Sequence, residues 1–192
     1  MKKLGSLADV MVGQIMTRVS SKDGEGNEVK VIVPGAVCQG YINEYSLGSA
    51  NLVKKLGDKF YTKPGDLVMK LTADYDVALV KEEEAGIAIS SLVCVIRSKD
   101  IEPKYLCAVL NSEKIKNELQ IKAAGAIRPM IKVSDVRDLD IPVVSKEKQE
   151  KIGRTFELSG EKIQTLQEII SNERAIMNAL VNNHILEEMD NE

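Results

Sequence analysis

Acidic, thiol and imidazole side chains are the obvious places to seek chemistry in this sequence, and they are thinly spread. Asp9 followed by Glu28-Val29-Lys30 is the nearest approach to a Mg²⁺-dependent nuclease: an acid and a Glu-x-Lys that together can hold a hard cation and a water. That spacing is permissive and common by chance. Cys38, Cys94 and Cys107 form no Cys-x-x-Cys pair. Cys94 and Cys107 sit in apolar surroundings, which predicts inert core thiols in a reducing cytoplasm. The single histidine, His184, excludes His-rich metal sites and argues against a Ser-His-Asp triad. No Walker-type phosphate loop and no methyltransferase-like (Asp/Asn)-Pro-Pro-(Tyr/Phe) motif is present, and Gly24-Glu25-Gly26 lies in a polar loop. The sequence therefore assigns no catalytic residue, no metal ligand and no cofactor.

Lysine and arginine offer another chemistry, contact with phosphates. The formal net charge is −3, yet residues 50–72 carry Lys54, Lys55, Lys59, Lys63 and Lys70 against two acids, a local +3. Residues 114–137, with Lys122, Arg128 and Lys132 among them, reach +4. A basic patch is thus compatible with a mildly acidic chain, beside the plain alternative of solvated faces. Length and composition set the frame: 192 residues, 44% apolar and 29% charged, predict one soluble domain with an appendage. No apolar run approaches the ~20 residues of a membrane helix. The opening Met1-Lys2-Lys3-Leu4-Gly5 has no apolar segment of a secretory signal.

The elements that must position these residues change character along the chain. The first ~100 residues read as strands. Val29–Val33 is stopped by Pro34-Gly35, residues 66–71 follow the turn Lys63-Pro64-Gly65, and residues 91–96 form a buried-strand pattern. Residues 77–80 and 87–89 flank the acidic tip Glu82-Glu83-Glu84 as a hairpin would, and residues 20–28 form a loop. Pro103 suits the first turn of a helix, Ser112 could cap a second, and Gly125 stops it. Residues 126–144 return to extended pieces. From residue 145 there is no proline. Phe156, Ile163, Ile170, Met177 and His184 recur every seven residues, interleaved with Ile152, Ser159, Leu166, Glu173 and Leu180 and widened by Ile169 and Ile176. That is a heptad-like seam on one long helix. A partner helix is its natural cover, with folding back onto its own domain as the alternative.

Several segments, taken in order, resemble the specificity subunit of type I restriction–modification systems. Lys63-Pro64-Gly65-Asp66-Leu67-Val68 resembles the family's Gly-Asp start of an apolar strand. Ile101-Glu102-Pro103-Lys104-Tyr105-Leu106, with Val109-Leu110-Asn111-Ser112, resembles its Tyr-Leu … Leu-x-Ser helix. Ala124-Gly125-Ala126-Ile127-Arg128-Pro129 resembles a Gly-containing turn, and Leu139-Asp140-Ile141-Pro142 … Gln149-Glu150-Lys151-Ile152 resembles the junction into the long helix. Val144 replaces the usual second proline, and the first 60 residues match weakly.

The resemblance implies an α+β target-recognition domain over residues 1–144 and, over 145–192, a long coiled-coil-forming helix for dimerisation and docking of modification subunits. Family members usually hold two recognition domains, each with its helix, and this chain looks like one half. The resemblance also implies a non-catalytic DNA-recognition role, with double-stranded DNA, modification (methyltransferase) subunits, a restriction subunit and a second copy as partners. An inverted-repeat target and a cytoplasmic location follow. Lys22, Lys54, Lys55, Lys59, Lys63, Tyr75, Lys122, Arg128 and Lys132 become candidate DNA contacts, although Tyr75 could equally be core. Ile152, Phe156, Ile163, Leu166, Ile169, Ile170, Met177 and Leu180 become the candidate pairing surface. A dimerising protein that occupies the modification subunits without reading DNA is the alternative.

Overall fold

The computed structural model describes residues 1–21, 26–124 and 129–189, with the side chains of the last helix as far as residue 182. The chain opens with β1 (Lys2–Lys3), one helical turn α1 (Leu4–Leu7) and β2 (Ala8–Val12). Six strands follow: β3 (Asn27–Ile32), β4 (Gly48–Leu52), β5 (Leu67–Lys70), β6 (Val77–Leu79), β7 (Ala88–Ile89) and β8 (Val93–Ser98). Then come α2 (Pro103–Leu110), α3 (Glu113–Ala123), α4 (Val133–Arg137), β9 (Asp140–Ile141) and the long α5 (Lys146–Met189).

Among the described residues the strands form three sheets, ordered β2-β8-β5-β6, β4-β3-β7 and β1-β9. The first sheet separates two layers of core. On β5, Leu67 and Met69 face one layer and Val68 the other; on β8, Cys94 and Ile96 oppose Val93 and Val95 in the same way. Alternation along a strand sends successive side chains to opposite faces, so a strand covered on both sides must be apolar throughout. Leu106, Leu110 and Leu119 of α2 and α3 fill one side, and Ile32 and Ile89 of the second sheet fill the other. Cys94 and Cys107 are core residues, and burial pushes both thiols up to about 12.

Two expectations are corrected. Residues 77–89 form no hairpin: β6 pairs with β5, whereas β7 pairs in parallel with β3. Their acidic link is a 3₁₀ turn whose Glu84 is buried, its carboxylate accepting from Lys81 N–H at 2.7 Å. Within 126–144 a short helix, α4, intervenes; Asp135 holds its first turn by accepting from Lys132 N–H at 2.8 Å. Pro103 does open α2; Ser112 precedes α3 but its side chain does not cap it, because the hydroxyl donates back to Val109 O at 2.6 Å. The end of α3 is at Ala123, and Gly125 lies outside the described residues.

The chain divides into two compact units, Met1–Phe156 and Glu157–Glu192. The first unit holds all of the sheets and the first turns of α5. The second is the continuation of that helix, and Leu158, Ile163, Leu166, Ile169, Ile170, Ile176, Met177, Leu180 and Val181 are all exposed on it.

Candidate nucleic-acid interface

The loop before β5 carries the first basic group, and a partly buried ion pair fixes its end at Lys63–Asp66. Asp66, 2% exposed, accepts from Arg97 Nε at 2.7 Å and Nη2 at 2.6 Å, a two-point bond that orients both planes. The second carboxylate oxygen also accepts from Lys63 N–H at 2.8 Å. Gly65, between them, adopts φ +80°, a conformation that glycine alone reaches freely. This explains the Gly-Asp element of the resemblance: the aspartate clamps the turn to β8, and the glycine lets the turn close.

Lys54, Lys55, Lys59 and Lys63 project from this loop into solvent. Lys55 and Lys63 share the rim of a shallow cavity of about 400 Å³ with Tyr61 and Gly86. Lys59 lies 5.0 Å from the Phe60 ring centre, and Lys55 makes a loose, exposed pair with Asp58 at 3.8 Å. Such pairs leave the charge available to a phosphate.

A larger open cleft of about 660 Å³ lies between the β5–β6 turn and α3, with Asp74, Asp76, Glu113 and Lys116 as its charged lining. Asp76 anchors the turn, paired with Lys70 at 3.0 Å and with Lys116 of α3. Asp74 (φ 75°) and Tyr75 (φ 47°) are both left-handed, unusual for side-chain-bearing residues. The Tyr75 ring is 3% exposed and belongs to the main core; burial raises its phenol. Tyr75 therefore anchors the turn from beneath. A bridge between Thr72 and Met130, with Ile131 N–H donating to Leu71 O at 2.9 Å, brings the exposed Lys132 beside this turn. Lys122 is paired with Glu118 one turn back at 2.9 Å. Lys22 and Arg128 lie outside the described residues. Glu113, Asn117 and Gln120, which line the cleft with Lys116, do not stand out in the sequence. Their spacing of three, four and seven was the available signal.

The junction into α5 is also built from the resembling segments. Glu102 caps α2 by accepting from Tyr105 N–H at 2.6 Å. Gln149, almost fully buried, accepts from Glu102 N–H at 3.0 Å and donates to Val144 O at 2.9 Å. The Tyr105 hydroxyl donates to Pro142 O at 2.8 Å. A β-carbon on Gly153 would fall 2.7 Å from Tyr105 N, so only glycine allows α5 to approach α2 this closely. Phe156 packs on the domain's own core and against Gly40, so this member of the predicted pairing seam is covered from within the first unit. Ile152 remains 43% exposed at the edge of a groove with Val109 and Ile115.

The nuclease arrangement does not assemble. Asp9 is ion-paired with Lys99 at 2.6 Å on the β2-β8-β5-β6 sheet, whereas Glu28 and Lys30 belong to β3 of another sheet. Among the described residues no cluster of three His, Cys, Asp or Glu side chains is placed to hold a metal, and no helix is long and apolar enough to cross a membrane.

No family model matches this chain, and no curated protein matches it in sequence. Solved structures do match its fold. A subunit from a structure of complex assembly and conformational transition of the type I R-M system is 21% identical, with a TM-score of 0.64 over 88% of this chain and 43% of its own. The HsdS subunit from Thermoanaerobacter tengcongensis is 22% identical with a TM-score of 0.64, over the same shares of each chain. The type I restriction–modification S subunit from M. genitalium is 20% identical, with a TM-score of 0.58 over 90% of this chain and 42% of its own. The chain therefore has the mixed α/β fold and long terminal helix of HsdS specificity subunits, and spans less than half the length of those it matches.

Proposed function

We propose that this chain acts as a specificity subunit, with one recognition domain, that reads double-stranded DNA for a type I restriction–modification system and catalyses nothing itself. Residues 1–144, with the first turns of α5 packed against them, form the recognition domain; the rest of α5 forms the arm that pairs two copies and docks the modification subunits. The observation that carries this reading is the fold likeness over 88–90% of the chain, together with the unpartnered apolar stripe of α5. Ile163, Leu166, Ile169, Ile170, Met177 and Leu180 would pack against the same residues of a second copy, and two-fold symmetry makes such a surface self-complementary. Two recognition domains held on one rod would read two half-sites in inverted orientation across a fixed spacer.

In this mechanism the domain supplies position and specificity. Lys54, Lys55, Lys59, Lys63 and Lys132 meet phosphates and set register, Lys22 and Arg128 are further candidate contacts, and Lys122 contributes weakly because Glu118 already partners it. Methyl transfer to adenine belongs to the docked modification subunits and cleavage to a restriction subunit, all in the cytoplasm. The formal net charge of −3 favours a competing reading, in which the chain occupies the modification subunits without reading DNA. Selection from a randomised duplex pool by the purified full chain at low salt separates the two. Enrichment of an inverted repeat with constant spacing is the expected result; a pool left unchanged contradicts DNA reading.

A further inference from the structure

The face of α3 that borders the large cleft is unusually ordered in its chemistry. Glu113, Lys116, Asn117 and Gln120 follow the helical spacing of three, four and seven, so they form one straight stripe about 10 Å long. The adjoining side of the helix is anchored in the core by Ile115, Leu119 and Ala123. The stripe is therefore held by a rigid element, and rotation of α3 would expose three apolar residues. Across the cleft stands the β5–β6 turn. Its position is fixed from three sides: the buried Tyr75 ring, the Asp76 carboxylate between Lys70 and Lys116, and the Thr72–Met130 bridge. Together these restraints hold Asp74 in its left-handed conformation at the lip of the cleft.

Each group has a distinct share in this arrangement. Lys116 is engaged with Asp76 and serves the scaffold. Asn117 and Gln120 are exposed amides, each offering a donor and an acceptor in one plane. Asp74 offers acceptors only. These are the groups that discriminate base edges: an amide pairs with both N6 and N7 of adenine, and a carboxylate accepts from N4 of cytosine. An α-helix fits the ~12 Å major groove, and a two-turn stripe spans about three base steps. Exposed Lys132 stands beside the facing turn as a phosphate contact.

We propose that α3 is the groove-reading helix of this domain, with Asn117 and Gln120, assisted by Asp74 of the facing turn, as its specificity-determining residues. This rests on the DNA-reading role proposed above and gives that role its base-contacting surface. Readers and phosphate contacts are then separate groups: the stripe chooses the sequence, and the lysine loop before β5 supplies sequence-independent affinity.

The test is pool selection with the full chain, using a randomised DNA duplex library at low salt. Wild type is compared with Asn117→Ala/Gln120→Ala, with Asp74→Asn, and with Lys54→Ala/Lys55→Ala/Lys59→Ala. The substituted side chains are exposed, alanine favours helix, and asparagine tolerates the left-handed conformation, so the fold is retained. The amide double variant should lose about tenfold or more of base preference at one or two positions in each half-site, while its affinity for random duplex changes less than about threefold. Asp74→Asn should shift preference at a single position. The triple lysine variant should weaken binding to all sequences and keep the same motif. If the amide variant enriches the wild-type motif with unchanged preferences, α3 is not the reader, although DNA reading itself stands. If wild type enriches nothing, the DNA-reading role falls and this assignment falls with it.

Discussion

α5 meets two environments along its length. Up to Phe156 it is part of a packed domain: Gln149 is almost fully buried, Gly153 lies against the start of α2, and Phe156 closes over the core. From residue 157 to residue 182 its large apolar side chains are 47–58% exposed, with isoleucine and leucine at the same heptad spacing. The same periodicity thus serves two covers. The first is supplied by the chain itself. The second, under the proposed pairing, is supplied by another copy. A helix that binds its own domain needs a glycine where it crosses α2, and a helix that binds a copy of itself needs only a continuous stripe.

This contrast is most sharply tested by substitutions on its two sides. Leu110→Ala removes a fully buried side chain and should cost about 2–5 kcal/mol of domain stability, read as a fall in denaturation midpoint. Ile163→Asp, on the exposed stripe, should leave the domain's stability within about 0.5 kcal/mol while abolishing pairing. Equal effects on the domain midpoint would erase the distinction between the two regions.

The two glycines of the helix give a smaller and opposite pair of effects. Gly153→Ala places a β-carbon 2.7 Å from Tyr105 N and 2.8 Å from Lys104 Cβ, and should cost about 1–3 kcal/mol by thermal unfolding. Gly160→Ala meets nothing within 4 Å and should raise helix stability by about 0.5–1 kcal/mol, read as an increase in helical circular dichroism. Two losses would show that the second unit is as closely packed as the first.

The smallest effect concerns Glu84, whose carboxyl burial holds above the usual carboxylate range. The native state then keeps this proton to higher pH than the unfolded chain. The stability linked to it is complete at acid pH and declines as pH rises from the unfolded carboxylate range through the native value. Glu84→Gln keeps the acceptor for Lys81 N–H and removes the charge. It should raise the melting temperature slightly at pH 7 and have no effect near pH 4.

Long-period and punctuated features were legible in the sequence. β3 and β5 are bounded by Pro34 and Gly65, α2 opens at Pro103, and α5 is one uninterrupted helix. Pairing was not legible. β7 continues from a turn that looks like a hairpin tip, yet its partner is β3, more than fifty residues earlier, and no local pattern encodes that choice. α4 is too short for periodicity to register. The candidate site divides in the same way. Exposed lysines could be counted from composition, but the core role of Tyr75 and the alignment of Asn117 with Gln120 beside Asp74 needed the fold. Phe156 shows the limit most plainly: a heptad position states that a residue is covered, and leaves open by what.

Light scattering on the full chain tests pairing through α5 most directly. At tens of micromolar, the expected species has a mass of about 42 kDa, twice the 21.1 kDa of one chain, and falls to the monomer mass in Ile163→Asp. A wild-type chain that stays monomeric at every concentration would contradict pairing through α5 and, with it, the two-half-site mechanism.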